Sequence, residues 1–321
     1  MHKLGVIGTN FVSSWLCEAA RSLGTVELTA VYSRTKEKGE AFAKTEGVLS
    51  VYTDLDAFFS SGIEAVYIAS PTYCHYDMAK KAIEKGLHVL LEKPMVTHKW
   101  QFDALDALAK ERGVVLMEAM RPQHDEAFSA VKESLPKLGK LRHASFEFCQ
   151  YSSRYDAFLR GEVLNAFRPD IAGAALLDIG IYPLFWVMAL FGRPDSVAAS
   201  STFLGNGFEG GGTVLFGYDG FQVSMSYSKI CQSASPSVIL GEKGSLTVDK
   251  VTSPDEIVLA LRGKTPCLLS HPHYTNNLVC ELRDFLSLCE NGGENPYLAI
   301  SRLTYETLER IYQAAGIRVF E

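Results

Sequence analysis

The chain has 321 residues, with 31 Lys and Arg against 37 Asp and Glu and a net charge of −6 at pH 7. At 47% hydrophobic and 21% charged residues it is too apolar for a disordered polypeptide, and its charge balance gives no global pull toward nucleic acid or anionic membrane. The length exceeds what one hydrophobic core usually serves, so two domains are expected. Seven scattered cysteines, none spaced Cys-x-x-Cys, argue against a disulfide framework or a zinc site. His271-Pro272-His273 lacks a partner at ligand spacing and reads as a loop, so no metal is expected. No apolar signal core precedes the first strand, and the longest apolar stretches, such as 181–191, are far too short to span a bilayer. The expectation is a cytoplasmic protein with no membrane or nucleic-acid partner.

The first third alternates regularly. Leu4-Gly5-Val6-Ile7 is a short apolar run ending at Gly8, and Trp15, Leu16, Ala19, Ala20 and Leu23 follow at helical spacing. Residues 26–32 read as a strand, 36–46 as a charged surface helix, 65–69 as a buried strand and 75–85 as a helix. A strand over 88–91, a helix over 102–112 and a strand over 114–117 complete the pattern. Short apolar strands alternating with helices indicate a parallel sheet covered on both faces, with ligands at the carboxyl ends of its strands. The rhythm changes after about Arg121. A helix over 125–138 and an alternating strand over 141–149 precede a polar stretch, 151–170, of no clear period. A helix over 174–191, several turn-linked strands between 196 and 261, and helices over 278–290 and 299–315 follow. These describe an α+β domain with a largely antiparallel sheet, entered by a short crossing near 119–125.

Gly8-Thr9-Asn10-Phe11-Val12-Ser13 stands where a dinucleotide-binding turn belongs. The pattern G-x-G-x-x-G/A becomes Gly8, Asn10 and Ser13. Gly8 suits the tight turn, Asn10 is among the few residues that tolerate left-handed backbone, and Ser13 is small enough for helix–strand packing. A helix starting near Phe11 would aim its backbone N–H groups at phosphates. An ordinary strand-to-helix turn is the alternative. At the end of the second strand an NAD site wants Asp or Glu for the ribose 2′-hydroxyl. Here stand Tyr32-Ser33-Arg34-Thr35, with no acid among the four, then Lys36 and Lys38. Ser33 can donate to a 2′-phosphate, and Arg34 can pair with it or stack on adenine, so NADP is favoured, with NAD as the alternative.

Glu92-Lys93-Pro94-Met95 places a lysine at the ligand edge of the sheet, directly after a buried strand. Lysine there has three donors and a pKa that surroundings can lower, which suits a general acid/base in hydride transfer. With this motif stand Gly5-Val6-Ile7-Gly8-Thr9, Ser70-Pro71-Thr72-Tyr73-Cys74-His75, Gly173-Ala174-Ala175-Leu176-Leu177-Asp178-Ile179-Gly180-Ile181-Tyr182 and Gly241-Glu242-Lys243-Gly244. In this order they resemble the Gfo/Idh/MocA oxidoreductases over essentially the whole chain.

The resemblance implies an N-terminal Rossmann domain, a doubly wound parallel sheet over 1–120 that binds NAD(P). It implies a C-terminal α+β domain over 121–321 with a large, mostly antiparallel open sheet for substrate binding and oligomerisation. It makes Lys93 the catalytic acid/base and raises a cis Lys93–Pro94 bond as an expectation. Asp178 would orient substrate hydroxyls and Tyr182 share the proton transfer; four residues apart on one helix, they would face the same way. Cofactor contacts are expected from Gly8, Thr9, Asn10, Phe11, Ser33, Arg34, Lys38, Ser70, Pro71, Thr72, His75, Glu92, Lys93 and Arg168, and a substrate contact from Arg121. The chain departs from the family pattern at Asn10, at Thr72 in place of the common Asn, and at Arg121, one position early. The implied function is an NADP-dependent oxidoreductase acting on a hydroxyl or carbonyl of a sugar, polyol or diol. The implied assembly is a homodimer or higher oligomer through the outer face of the second sheet, for which Val214-Leu215-Phe216 is apolar enough. A non-catalytic NADP-binding sensor of the same fold is the rival, and the joint presence of Lys93, Asp178 and Tyr182 argues against it.

Overall fold

A computed structural model describes residues 2–292 and 295–319. The chain divides into two compact units. One runs to Val96 and continues through Trp100–His124 and Tyr274–Ala299, and the other comprises Thr97–Lys99, Asp125–His273 and the chain from Ile300.

The first unit alternates strand and helix: β1 (His2–Ile7), α1 (Phe11–Leu23), β2 (Val26–Tyr32), α2 (Lys36–Glu46), β3 (Ser50–Tyr52), α3 (Leu55–Phe59), β4 (Ala65–Ile68), α4 (His75–Glu84), β5 (His88–Glu92), α5 (Lys99–Arg112) and β6 (Leu116–Ala119). Its strands pair in parallel in the order β3-β2-β1-β4-β5-β6. The strands are apolar on both faces because helices cover both: all four residues of β4 are buried, as are Val89, Leu90 and Leu91 of β5. From β1 the chain winds outward to β3, then restarts with β4 on the other side of β1. Such a switch point leaves a crevice at the carboxyl ends of the two strands. The sequence pattern does not show β3 or α3. At three residues, β3 is an edge strand without an apolar run.

In the second unit α6 (Glu126–Ser134) precedes β7 (Leu141–Cys149), α7 (Tyr155–Leu159), α8 (Pro169–Ala172) and α9 (Ile181–Phe191). The strands β8 (Ser196–Phe203), β9 (Glu209–Tyr218), β10 (Phe221–Ser228), β11 (Ser237–Gly241), β12 (Gly244–Val248), β13 (Ile257–Leu261) and β14 (Cys267–Leu268) follow. With β7 they form a sheet ordered β14-β13-β12-β11-β7-β10-β9-β8, parallel between β7 and β10 and antiparallel at the other named pairs. One face packs on α9, whose Trp186 lies against Phe128 and Phe146 and donates its indole N–H to the Val251 carbonyl at 2.7 Å. Of the apolar run Val214-Leu215-Phe216, the first and third residues point into this core and Leu215 alone is exposed. Strand alternation turns successive side chains to opposite faces, so the run is not a continuous outer patch.

After the second sheet the chain returns to the first unit through α10 (Leu278–Asn291) before α11 (Leu298–Ala315). Leu278, Leu282 and Phe285, spaced by one and two helical turns, join the core formed by Leu4, Val6, Leu16, Tyr67 and Leu90. Residues 274–299, expected with the second domain, therefore pack with the first. Among the described residues, no helix is long and apolar enough to cross a membrane.

Candidate functional site

The crevice at the ends of β1, β2 and β4 is a cavity of about 470 Å³. Gly8, Thr9, Asn10, Ser33, Arg34, Lys38, Ser70 and Pro71 line it, with Ile7, Tyr32, Thr35, Ala69, Tyr73, Cys74 and Met78. No acidic side chain is among these residues, and Arg34 and Lys38 are exposed at its edge. Gly8 has φ +108°, and a Cβ there would stand 2.6 Å from the Ala69 carbonyl oxygen. The close approach of β1 and β4 thus demands glycine at this turn.

Asn10 does not take the left-handed backbone that its place in the glycine pattern anticipates. Its φ and ψ are −94° and 177°, and it caps α1 by accepting from the Ser13 backbone N–H at 3.0 Å. Its amide donates to the Ala69 carbonyl at 2.9 Å, bridging β4 to the helix start. A side-chain cap, not a glycine, organises this turn. Ser13 is fully buried, as the packing role of the third position requires. Phe11, the first residue of α1, is exposed and packs edge-on against Trp15, outside the cavity lining.

Thr72 and His75 also lie off the cavity lining. Thr72 opens a single 3₁₀ turn, Thr72–Cys74, that leads into α4. The buried ring of His75 reaches two backbone carbonyls, Nδ1 to Pro94 at 2.9 Å and Nε2 to Ser70 at 2.8 Å. Burial, with the Lys93 charge in addition, holds the imidazole below its ordinary range. His75 is thus a strut between the loop after β4 and the Lys93 turn. The Lys93–Pro94 bond is cis.

Glu92 is likewise turned into the protein. Its Oε1 accepts from the Tyr67 hydroxyl at 2.5 Å and its Oε2 from the Lys93 backbone N–H at 3.1 Å. Burial raises its carboxyl, while the Tyr67 hydroxyl and the charges of Lys93 and Arg121 pull it back down. Glu118 accepts from the Met95 N–H at 3.0 Å, fixing the far side of the turn. Fully buried on α10, Glu281 is pushed well above the usual carboxylate range by burial and then by Glu92. Arg121 supplies positive charge to both Glu92 and Glu281, and its guanidinium lies 5.9 Å from the Trp15 ring centroid. Arg121, expected at the substrate, therefore lies within electrostatic reach of both carboxyls.

Asp178, Tyr182 and Arg168 belong to the second unit. The helix expected over 174–191 is interrupted: Leu176–Gly180 forms a π-helical turn before α9. Asp178 and Tyr182 are therefore not four residues apart on one regular helix. Gly180 permits the turn to press on the sheet, since a Cβ there would lie 2.9 Å from Tyr227 Cγ. Buried Glu209 supports its start, accepting from the Leu176 N–H at 3.0 Å. Tyr182 is buried and meets Phe148 edge-on. Arg168 is exposed and forks onto Asp170, its Nε 3.1 Å from Oδ1, holding that carboxyl low. Lys229 lies beside Asp178, 2.8 Å from Nζ to Oδ2. Sequence spacing does not connect Lys229 or Glu209 to Asp178 and its turn, or Glu281 to Glu92. The one signal for Lys229 is a charged residue directly after a strand, as with Lys93.

Residues 2–120 match the family model described as an oxidoreductase family with an NAD-binding Rossmann fold, and 133–247 match the GFO/IDH/MocA C-terminal domain. The chain belongs to the GFO/IDH/MocA oxidoreductases. As a GFO/IDH/MocA protein it is 37% identical to an uncharacterized oxidoreductase of Escherichia coli, covering 99% of this chain and 97% of that one. It is also 37% identical to scyllo-inositol 2-dehydrogenase (NADP(+)) of Bacillus subtilis, covering 99% and 98%. Its fold is that of a 3-ketoreductase from Actinomadura kijaniata, solved with NADP and TDP-benzene, at a TM-score of 0.89 and 21% identity over 100% and 99% of the two chains.

Proposed function

We propose that this GFO/IDH/MocA protein is an NADP-dependent oxidoreductase that interconverts a hydroxyl and a carbonyl on a sugar, polyol or diol. The observation that carries the cofactor choice is the end of β2, where Ser33, Arg34, Thr35 and Lys38 line the cavity without an acid. A 2′-phosphate meets donors and positive charge there, whereas a bare 2′-hydroxyl meets no carboxylate. The residues present fit a dinucleotide: Gly8, Thr9 and Asn10 line the cavity, and the start of α1, with no acid in its first turn, favours negative charge. When bound, the nicotinamide supplies or accepts the hydride.

Lys93 moves the proton. Its ammonium donates to the carbonyl oxygen in reduction, and its amine accepts the hydroxyl proton in oxidation. Asp178 accepts hydrogen bonds from substrate hydroxyls, and Tyr182 shares the proton transfer. The first unit binds the cofactor, and the second binds substrate and joins copies of the chain through the exposed sheet face that carries Leu215, as a cytoplasmic homo-oligomer. The Bacillus relative, named as acting on scyllo-inositol with NADP(+), supports this substrate class.

The test is a panel of scyllo-inositol, glucose, xylose and a cyclic vicinal diol, each with NADP and with NAD, followed at the nicotinamide absorbance. NADP-linked turnover of at least one member is expected, and Lys93→Ala should lower kcat by about 10²–10⁴-fold while leaving NADP affinity in place. Tight NADP binding with no turnover across the panel would instead favour a sensor.

A further inference from the structure

Lys229 follows β10 and is buried, at 4% exposure. A buried ammonium is costly unless it is paired and hydrogen-bonded, and Lys229 is both. Besides Asp178 Oδ2 at 2.8 Å, Nζ donates to the Ala166 carbonyl at 2.9 Å. The ammonium also faces the rings of Phe167 and Phe208, 5.2 and 5.4 Å from their centroids. Its backbone is pinned as well: its N–H donates to the Gly210 carbonyl and its carbonyl accepts from the Ser152 N–H, both at 2.9 Å. Asp178 differs in kind, its side chain 46% exposed on the π-helical turn. A rigid buried cation thus grips one oxygen of a half-exposed carboxylate.

We propose that Lys229 is a positioning residue: it fixes the direction of the Asp178 carboxylate, so that the second unit presents a preset acceptor to the hydroxyls of an uncharged polyhydroxylated substrate. This rests on the reading of Asp178 as a substrate residue. A carboxylate only accepts, so its complement is a hydroxyl donor. The neighbouring ammonium is itself enclosed and cannot reach out to an anionic group on the substrate. Neutral sugars and polyols are therefore favoured over sugar acids.

The experiment uses the full-length protein with NADP and the panel member of highest kcat/KM, and compares Lys229→Met, Asp178→Asn and the double variant. Each single change is expected to raise KM about tenfold or more, with kcat within a few-fold of wild type and NADP affinity, read by fluorescence titration, unchanged. The double variant should be no worse than the poorer single one, because the lysine acts through the aspartate. Independent, multiplying effects, or an unchanged KM in Lys229→Met, would overturn the proposal. If Asp178→Asn leaves KM unchanged, the reading of Asp178 itself fails, a distinct result. Lys229→Gln, which keeps a donor for Ala166, serves if the Met variant does not fold and should show the same KM shift. Glucuronate should have a kcat/KM at least tenfold below that of glucose, and equal values would overturn the preference for neutral substrates.

Discussion

The Nδ1 of His75 lies 2.9 Å from the carbonyl oxygen of Pro94, while the opposite ring nitrogen reaches Ser70. A neutral imidazole has one N–H to share between these two acceptors, and an imidazolium would satisfy both. Burial outweighs the bonds, so the folded state keeps the ring neutral, below its ordinary value of 6.5. The unfolded chain then takes up the proton first as pH falls, and this part of the stability, complete above about pH 7, is lost on acidification through and below 6.5. The urea midpoint should fall between pH 7 and 5.5. His75→Gln should flatten that slope and lower stability at pH 7 by about 1–3 kcal/mol. His88, also lowered by burial, would leave a residual slope. Stability that rises on acidification would mean that the imidazolium binds both carbonyls.

Arg34 tests the cofactor preference. It lines the cavity from an exposed position, so its contact with a 2′-phosphate would be charge-assisted and weakened by salt. Arg34→Ala should raise the Kd for NADP by about ten- to a hundredfold and that for NAD by less than about threefold. Fluorescence titration at two ionic strengths measures both, and equal losses for the two cofactors would refute the 2′-phosphate reading.

Asn10 offers a test of how the phosphate turn is built. Asn10→Ala removes both the α1 cap and the bond to Ala69, and should cost about 1–2 kcal/mol in urea unfolding. Asn10→Gly restores the family glycine and should cost less, because glycine is a tolerated cap. A larger loss for glycine than for alanine would contradict the capping role.

Gly180→Ala probes the π-helical turn. The added methyl would meet Tyr227 Cγ at 2.9 Å and Leu176 Cδ1 at 3.0 Å, both in a packed core. Overpacking of this kind costs about 1–3 kcal/mol. The displaced turn carries Asp178, so KM for the polyol should rise along with the loss in unfolding midpoint. Wild-type stability and KM together would show that the turn has room to spare.

Much of this protein follows from local order in the chain. The strands of the first unit other than β3, the helices Lys36–Glu46 and Leu278–Asn291, the glycine at the phosphate turn and the basic end of β2 are legible, because apolar period and turn chemistry act between near neighbours. The Asp178 helix is legible as a helix but not as a π-helical turn, where Gly180 lies too close to the Tyr227 ring of β10 to admit a side chain. Tertiary structure alone decided that His75 braces Pro94, that the charge of Arg121 reaches Glu92 and Glu281, that α10 completes the first core, and that Lys229 grips Asp178. Each joins residues distant in sequence, or adjacent in space for reasons of sheet order. Pairing and burial, which set the strength of charge and hydrogen bonding there, leave no periodic trace in the sequence.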